Sequence, residues 1–219
     1  MINDCAFCDR TKVEERLVAE TNEYHVIATL GQITDGGYVL VVPKEHISCM
    51  GALTPKQTSS MLKMTKEVCS ALSLEYQHST SITLYPVTIF EHGIIGQTIK
   101  HAHFHILPAI IDLTPKIRAD FPTAEIEEVH RGGHLSKLYA KHPQPYLFWT
   151  TPYGKPMVCW NPQAPLMYLR IVVAELLGRP ERANWRTMDP ELDKQLWSET
   201  VKRLKPYFHS NDTKKGGTI

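Results

Sequence analysis

The first half of the chain switches between two hydrophobic periods. Glu23-Tyr24-His25-Val26-Ile27-Ala28-Thr29-Leu30 reads as a strand, and Asp35-Gly36-Gly37 marks a turn after it. Tyr38-Val39-Leu40-Val41-Val42-Pro43 is a short β-branched run stopped by proline, which predicts a second strand. At Thr54 the period lengthens. Thr54 can cap, Pro55 suits a first helical turn, and Gln57 completes a capping box. Met61, Met64, Val68 and Leu72 follow at helical spacing, predicting a helix of about five turns. Thr80 to Phe90 is β-branched and reads as a third strand; Lys100 to Leu107 alternates strictly and reads as a fourth, ended by Pro108. Two strands, a helix and two strands imply an α+β layer with an antiparallel sheet. No internal repeat is present.

Beyond about residue 112 the pattern changes, so the chain divides into residues 1–112 and an extension, 113–219. Prolines and histidines are scattered through 113–145. Tyr146–Thr150 and Met157–Trp160 can form a hairpin across Pro152-Tyr153-Gly154. Pro165 to Leu177 reads as an amphipathic helix that Gly178 can terminate, Pro190 to Tyr207 as another helix, and polar Ser210 to Ile219 as a frayed end.

Composition narrows the function classes. Hydrophobic residues make up 42% and charged residues 21%, which predicts a packed core. A formal net charge of +1 provides no broad basic field, so nucleic acid is not an expected partner, whereas a small nucleotide needs only local donors. No apolar run reaches the roughly 18 residues that span a bilayer. Met1-Ile2-Asn3-Asp4-Cys5 lacks the features of a secretory leader, so the expected compartment is the cytoplasm. Five cysteines in a reducing compartment are expected as thiols or metal ligands.

The segment richest in chemistry is Gly96-Gln97-Thr98-Ile99-Lys100-His101-Ala102-His103-Phe104-His105-Ile106-Leu107-Pro108. In an extended chain His101, His103 and His105 share one face, spaced about 6–7 Å apart, while Ala102, Phe104 and Ile106 share the other. A neutral imidazole, with an ordinary pKa of about 6.5, can attack phosphorus when its opposite nitrogen is held as a donor. A flanking histidine can bind phosphoryl oxygens or protonate a leaving group. Spacing alone also allows a plain metal site, or chance among eleven histidines.

His101-Ala102-His103-Phe104-His105-Ile106-Leu107 matches, position by position, the signature of the histidine-triad (HIT) family, and this sequence resembles that family in other segments too. Gly96-Gln97-Thr98 matches the usual lead-in, Val42-Pro43-Lys44-Glu45-His46 matches another recurrent segment, and the capped helix falls where the family has its main helix. The resemblance covers roughly residues 5–110. It implies an α+β, HIT-like fold with an antiparallel β-sheet and a main helix, here followed by a mixed helical C-terminal extension, and commonly a homodimer. It also implies His103 as nucleophile, His105 on the phosphate oxygens, and Gln97 and Thr98 on phosphate or leaving group. Ile27 and Glu91 are added as substrate contacts. Histidine rather than glutamine at position 105 resembles the hydrolase branches. Two departures stand out. Ala28-Thr29-Leu30-Gly31-Gln32 lacks the carboxylate that many members place on the ribose, and the loop before Gly96 offers Glu91 or His92 where many members have asparagine.

Cys5-Ala6-Phe7-Cys8 is a Cys-x-x-Cys pair without a thioredoxin-type context. Structural zinc takes four ligands. Several bacterial HIT proteins complete such a pair with histidines corresponding to His46 and His101, so the resemblance implies structural zinc on Cys5, Cys8, His46 and His101, with no catalytic cofactor. Cys49, Cys69 and Cys159 have no paired spacing and are expected to be buried. In the extension, Arg170 lies on a helix, and Arg182 and Arg186 lie near Trp185. Such a cluster can bind an anion and stack a base, or can be an exposed loop over a tryptophan. The expected activity is hydrolysis of a nucleoside phosphoramidate, a dinucleoside polyphosphate or a related nucleotidyl ester. A nucleotidyltransferase or phosphorylase, and a zinc-stabilised nucleotide-binding protein without turnover, are the alternatives.

Overall fold

The computed structural model describes residues 5–76, 86–129 and 135–209. Among the described residues, eight strands form one sheet: β1 (Leu17–Glu20), β2 (Tyr24–Ala28), β3 (Val39–Pro43), β4 (Thr88–Gly93), β5 (Phe104–Leu107), β6 (Ile126–Glu128), β7 (Tyr146–Thr150) and β8 (Pro156–Trp160). Their spatial order is β1-β2-β3-β5-β4-β7-β8-β6, with antiparallel pairing throughout. The helices are α1 (Pro55–Tyr76), α2 (Thr114–Asp120), α3 (Leu135–Lys141), α4 (Tyr168–Leu176), α5 (Pro190–Leu204) and α6 (Pro206–His209).

The α+β architecture and the main helix agree with the sequence reading, and so do the β7–β8 hairpin and α5. The capping box forms: Gln57 N–H donates to Thr54 Oγ1 at 3.3 Å, and Thr54 N–H donates to Gln57 Oε1 at 2.9 Å. Met61, Met64, Val68 and Leu72 are buried against the sheet. Residues 80–85 of the expected third strand, and the terminal segment 210–219, lie outside the described residues. Helix α4 begins at Tyr168 rather than Pro165, because Met167 adopts a left-handed backbone with φ of 62°. Short β1, β6, α2 and α3 have too few periodic positions to be read in sequence.

The two halves share the sheet. Strand β7 pairs with β4 from Phe90↔Trp149 to Gly93↔Tyr146. Alternation along β4 then sorts its side chains: Phe90 joins the apolar cluster containing Leu169 and Val173 of α4, whereas Ile89 joins the cluster on the α1 side. Glu91 points the same way as Ile89. It is fully buried, its Oε1 accepting from Met50 N–H at 2.7 Å and its Oε2 from the Tyr146 hydroxyl at 2.6 Å. Burial pushes its carboxyl up to about 8, with those two hydrogen bonds opposing the rise. The expectation that Glu91 contacts substrate is therefore corrected: it ties β4 to the 50–51 turn and to β7, on the face away from the histidines.

Candidate functional site at the histidine face of the sheet

Side chains at positions 101, 103 and 105 lie on one side as expected, although regular pairing begins only at Phe104. His103 is buried, with 6% of its surface accessible, and borders a cavity of about 200 Å³. Its Nδ1 lies 2.6 Å from the His101 carbonyl oxygen, so Nδ1 must carry a hydrogen and donate it. Nε2 is thereby left with its lone pair. The ring packs edge-on against Phe7, with centroids 5.1 Å apart, and against His105 at 4.7 Å. Burial holds His103 well below the usual imidazole range, at about 4; the His101 carbonyl bond opposes this and nearby His101 and Arg170 reinforce it. The ring is therefore neutral at physiological pH, as a nitrogen nucleophile requires.

His105 also borders the cavity. Phe90 stacks on it with centroids 4.4 Å apart and planes within 8°. Its Nδ1 is 2.7 Å from the Tyr38 hydroxyl, and burial holds it well below the usual imidazole range, helped by His103, His92 and Arg170. Gln97 and Thr98 line the cavity; the Gln97 amide is oriented by a 2.9 Å bond from Nε2 to the Ser48 carbonyl. Gly96 at the turn before them has φ of 77°, and a Cβ there would meet His92 Cδ2 at 2.8 Å.

Ile27 requires a correction. It is fully buried in a cluster with Phe7, Val13, Leu40 and Val42 and does not line the cavity. Leu40, its cross-strand partner, and Thr29 and Leu30 beyond it reach the wall instead. Several cavity residues carry no motif: Phe7 and Arg16 from the N-terminal region, His92 from β4, and Met167, Arg170 and Trp185 from the extension. Of the arginine–tryptophan cluster, Arg170 and Trp185 border the cavity. Arg182 is engaged by Asp35 at 2.8 Å, and Arg186 lies over the Trp185 ring at 4.2 Å.

Beside the cavity, Cys5, Cys8, His46 and His101 bring their ligand atoms within 4.8 Å of one another. A tetrahedral zinc with Zn–S of 2.3 Å and Zn–N near 2.05 Å separates sulfur from nitrogen by about 3.5 Å. The observed separations are 3.4 Å for Cys5 Sγ to His101 Nδ1, 3.3 Å for Cys8 Sγ to His46 Nδ1 and 3.5 Å for Cys8 Sγ to His101 Nδ1. His101 Nε2 donates to the Pro43 carbonyl at 2.8 Å, which leaves Nδ1 as the ligand atom and orients the ring. The donor set fits zinc in type, number and spacing. Cys49, Cys69 and Cys159 are buried, as expected.

The neutral histidines make a prediction about acid stability. His92 at about 3, His103 at about 4 and His105 all titrate below the ordinary 6.5, chiefly because of burial. Below pH 6.5 the unfolded chain takes up protons that the folded chain refuses. Their contribution is therefore complete above pH 6.5 and is lost as pH falls through about 4. The midpoint of thermal unfolding is expected to drop by about 5 °C or more between pH 7.5 and pH 5. The drop should shrink in His105→Gln; an equal drop in that variant would contradict the assignment.

Residues 10–110 match the family model of the HIT domain. The adenosine 5′-monophosphoramidase hnt1 of Schizosaccharomyces pombe is 33% identical over 75 residues, covering 34% of this chain and 50% of that protein. The nitrilase and fragile histidine triad fusion protein NitFhit of Caenorhabditis elegans is 31% identical over 94 residues, covering 43% of this chain and 20% of that protein. The chain thus spans half the length of the first relative and a fifth of the second. Among solved structures, a Zn-bound histidine triad family protein from Mycobacterium smegmatis is 21% identical, with a TM-score of 0.40, covering 48% of this chain and 75% of that one. Among the described residues no helix is long and apolar enough to cross a membrane. The triad strand, the capped helix and the span matched at residues 10–110 together make the first half of this chain similar to proteins of the histidine-triad family.

Proposed function

We propose that the chain hydrolyses a nucleotidyl compound, a nucleoside phosphoramidate, a dinucleoside polyphosphate or a related ester, through a covalent intermediate on His103. The observation that carries this reading is the geometry of His103: Nδ1–H bonded to the His101 carbonyl, Nε2 left with its lone pair, and the ring bordering the cavity. In the first step the Nε2 lone pair attacks phosphorus. A nitrogen–phosphorus bond forms, the bond from phosphorus to the leaving group breaks, and the departing atom takes a proton from solvent. In the second step water attacks the same phosphorus and gives up a proton to solvent as the nitrogen–phosphorus bond breaks, releasing the nucleotide and the free imidazole. His105, beside His103, stabilises the charge on the phosphoryl oxygens, and Gln97 and Thr98 hold the phosphate or the leaving group. A relative named as a monophosphoramidase supports the phosphoramidate as the first substrate to try.

Zinc on Cys5, Cys8, His46 and His101 would be structural in this scheme. With four protein ligands it has no open position for substrate. It would fix the His101 main chain, whose carbonyl orients His103.

The test is a panel of adenosine and guanosine phosphoramidates and dinucleoside polyphosphates, assayed with and without inorganic phosphate, followed by rapid quench and intact-protein mass spectrometry. A nucleoside monophosphate adduct and a phosphate-independent product are expected. Turnover that depends on added phosphate would replace hydrolase by phosphorylase, and no turnover across the panel would refute the enzymatic reading.

A further inference from the structure

The first residues of α4, outside the matched HIT span, reach two of the cavity histidines, one directly and one through Tyr38. Leu169 N–H donates to His92 Nε2 at 3.0 Å. A backbone amide can only donate, so His92 Nε2 must be the bare nitrogen and Nδ1 must carry the hydrogen. The Cδ2 side of that ring faces Gly96, where an added Cβ would lie 2.8 Å away. The Nδ1 side is the one left to face the cavity that His92 borders, and among the described residues no hydrogen bond reaches His92 Nδ1.

Arg170, the next residue, acts on His105 through Tyr38. Its guanidinium is buried and donates to the Gly31 carbonyl at 2.9 Å, to the Ala183 carbonyl at 3.1 Å and to the Tyr38 hydroxyl oxygen at 3.2 Å. Tyr38 is fully buried, and its own hydroxyl hydrogen needs an acceptor. Arginine cannot accept, so His105 Nδ1 at 2.7 Å is the acceptor at hand. His105 then carries its hydrogen on Nε2.

We propose that the start of α4 sets the protons of two histidines so that both point donors into the cavity: His92 as an Nδ1–H donor to a phosphoryl oxygen or leaving group, and His105 as an Nε2–H donor, with Leu169 and Arg170 as positioning residues. This makes His92 a further substrate-contacting residue and gives the extension a defined part in the site. The substrate-contact clause rests on the nucleotidyl-hydrolase reading; the proton positions do not.

The test uses the full chain, zinc-loaded and labelled with 15N-histidine, with ring nitrogens correlated to ring protons by NMR at neutral pH. His92→Asn identifies the His92 signals. The expected result is His92 as the Nδ1–H tautomer, the minor form of a free imidazole, and His105 as Nε2–H. Adding AMP as the probe should move the His92 Nδ1 signal. An Nε2–H tautomer at His92, or a His92 signal unmoved while His105 moves, would overturn the proposal. With adenosine 5′-phosphoramidate, His92→Leu should lower kcat about 100-fold with little change in KM. His92→Asn, which keeps an N–H donor near the Nδ1 position, should recover most of the loss. Equal loss in both variants would assign His92 a packing role and overturn the donor role. If the wild-type chain turns over none of the substrates, the hydrolase reading fails, and the NMR results alone decide this proposal.

Discussion

His103→Ala is expected to lower turnover of adenosine 5′-phosphoramidate by about four orders of magnitude or more, because in the proposed mechanism it removes the atom that bonds to phosphorus. Among the described residues, the neighbouring imidazoles have no free lone pair to take its place: His101 Nδ1 lies within the cysteine and histidine ligand group, His105 Nδ1 is occupied by Tyr38, and His92 Nε2 accepts from Leu169. The variant should also lose the covalent nucleoside monophosphate adduct in intact-protein mass spectrometry. Loss of a buried ring and of its bond to the His101 carbonyl will cost some stability, so folding must be checked separately. Zinc content and a cooperative unfolding transition should both persist. His105→Ala gives the contrast: a smaller loss, of about two to three orders of magnitude, with the adduct still detectable. A His103→Ala protein that turned over within tenfold of wild type would end the covalent mechanism.

The second large effect is on stability. Purified chain is expected to hold about one zinc ion, and Cys8→Ser should lose it. Closing Cys5 and Cys8 onto His46 and His101 pins the N-terminal segment to positions about forty and a hundred residues away, so binding energy becomes folding energy. The unfolding midpoint should fall by about 10 °C in Cys8→Ser, or on treatment of the wild type with a strong chelator. Zinc should restore the chelated wild type but not the variant. Activity should fall with it, since Phe7 packs on the His103 ring and the His101 carbonyl holds that ring's hydrogen. Wild-type zinc content and melting temperature in Cys8→Ser would remove the assignment.

Part of the site is legible in the chain because its residues are neighbours in sequence. Alternation puts His101, His103 and His105 on one side without tertiary information, Thr54 and Gln57 encode their own capping box, and Cys5 and Cys8 carry the spacing of a ligand pair. Local covalent geometry sets each of these, so pattern alone reads them.

The rest is decided by contacts between segments far apart. The loop before Gly96 offers both Glu91 and His92, and the sequence reading places Glu91 on substrate. The register of β4 against β5 and β7 sends one toward Tyr146 and Met50 and the other toward the cavity, since adjacent strand residues face opposite sides of a sheet. Ile27 is expected on substrate, yet its side chain is buried in the cluster with Phe7, Val13, Leu40 and Val42. Arg170 and Trp185 have no motif. They reach the cavity because α4 packs on the sheet face that β7 extends from the triad strands, bringing Leu169 to His92 across 77 residues and Arg170 to Tyr38 across 132. The sequence by itself therefore determined that three imidazoles share one side of the chain, and its resemblance pointed to His103 as nucleophile and to Cys5, Cys8, His46 and His101 as zinc ligands. Only the tertiary structure decided which donors surround His103, because long-range pairing is a property of the packed sheet and leaves no periodic trace in the chain.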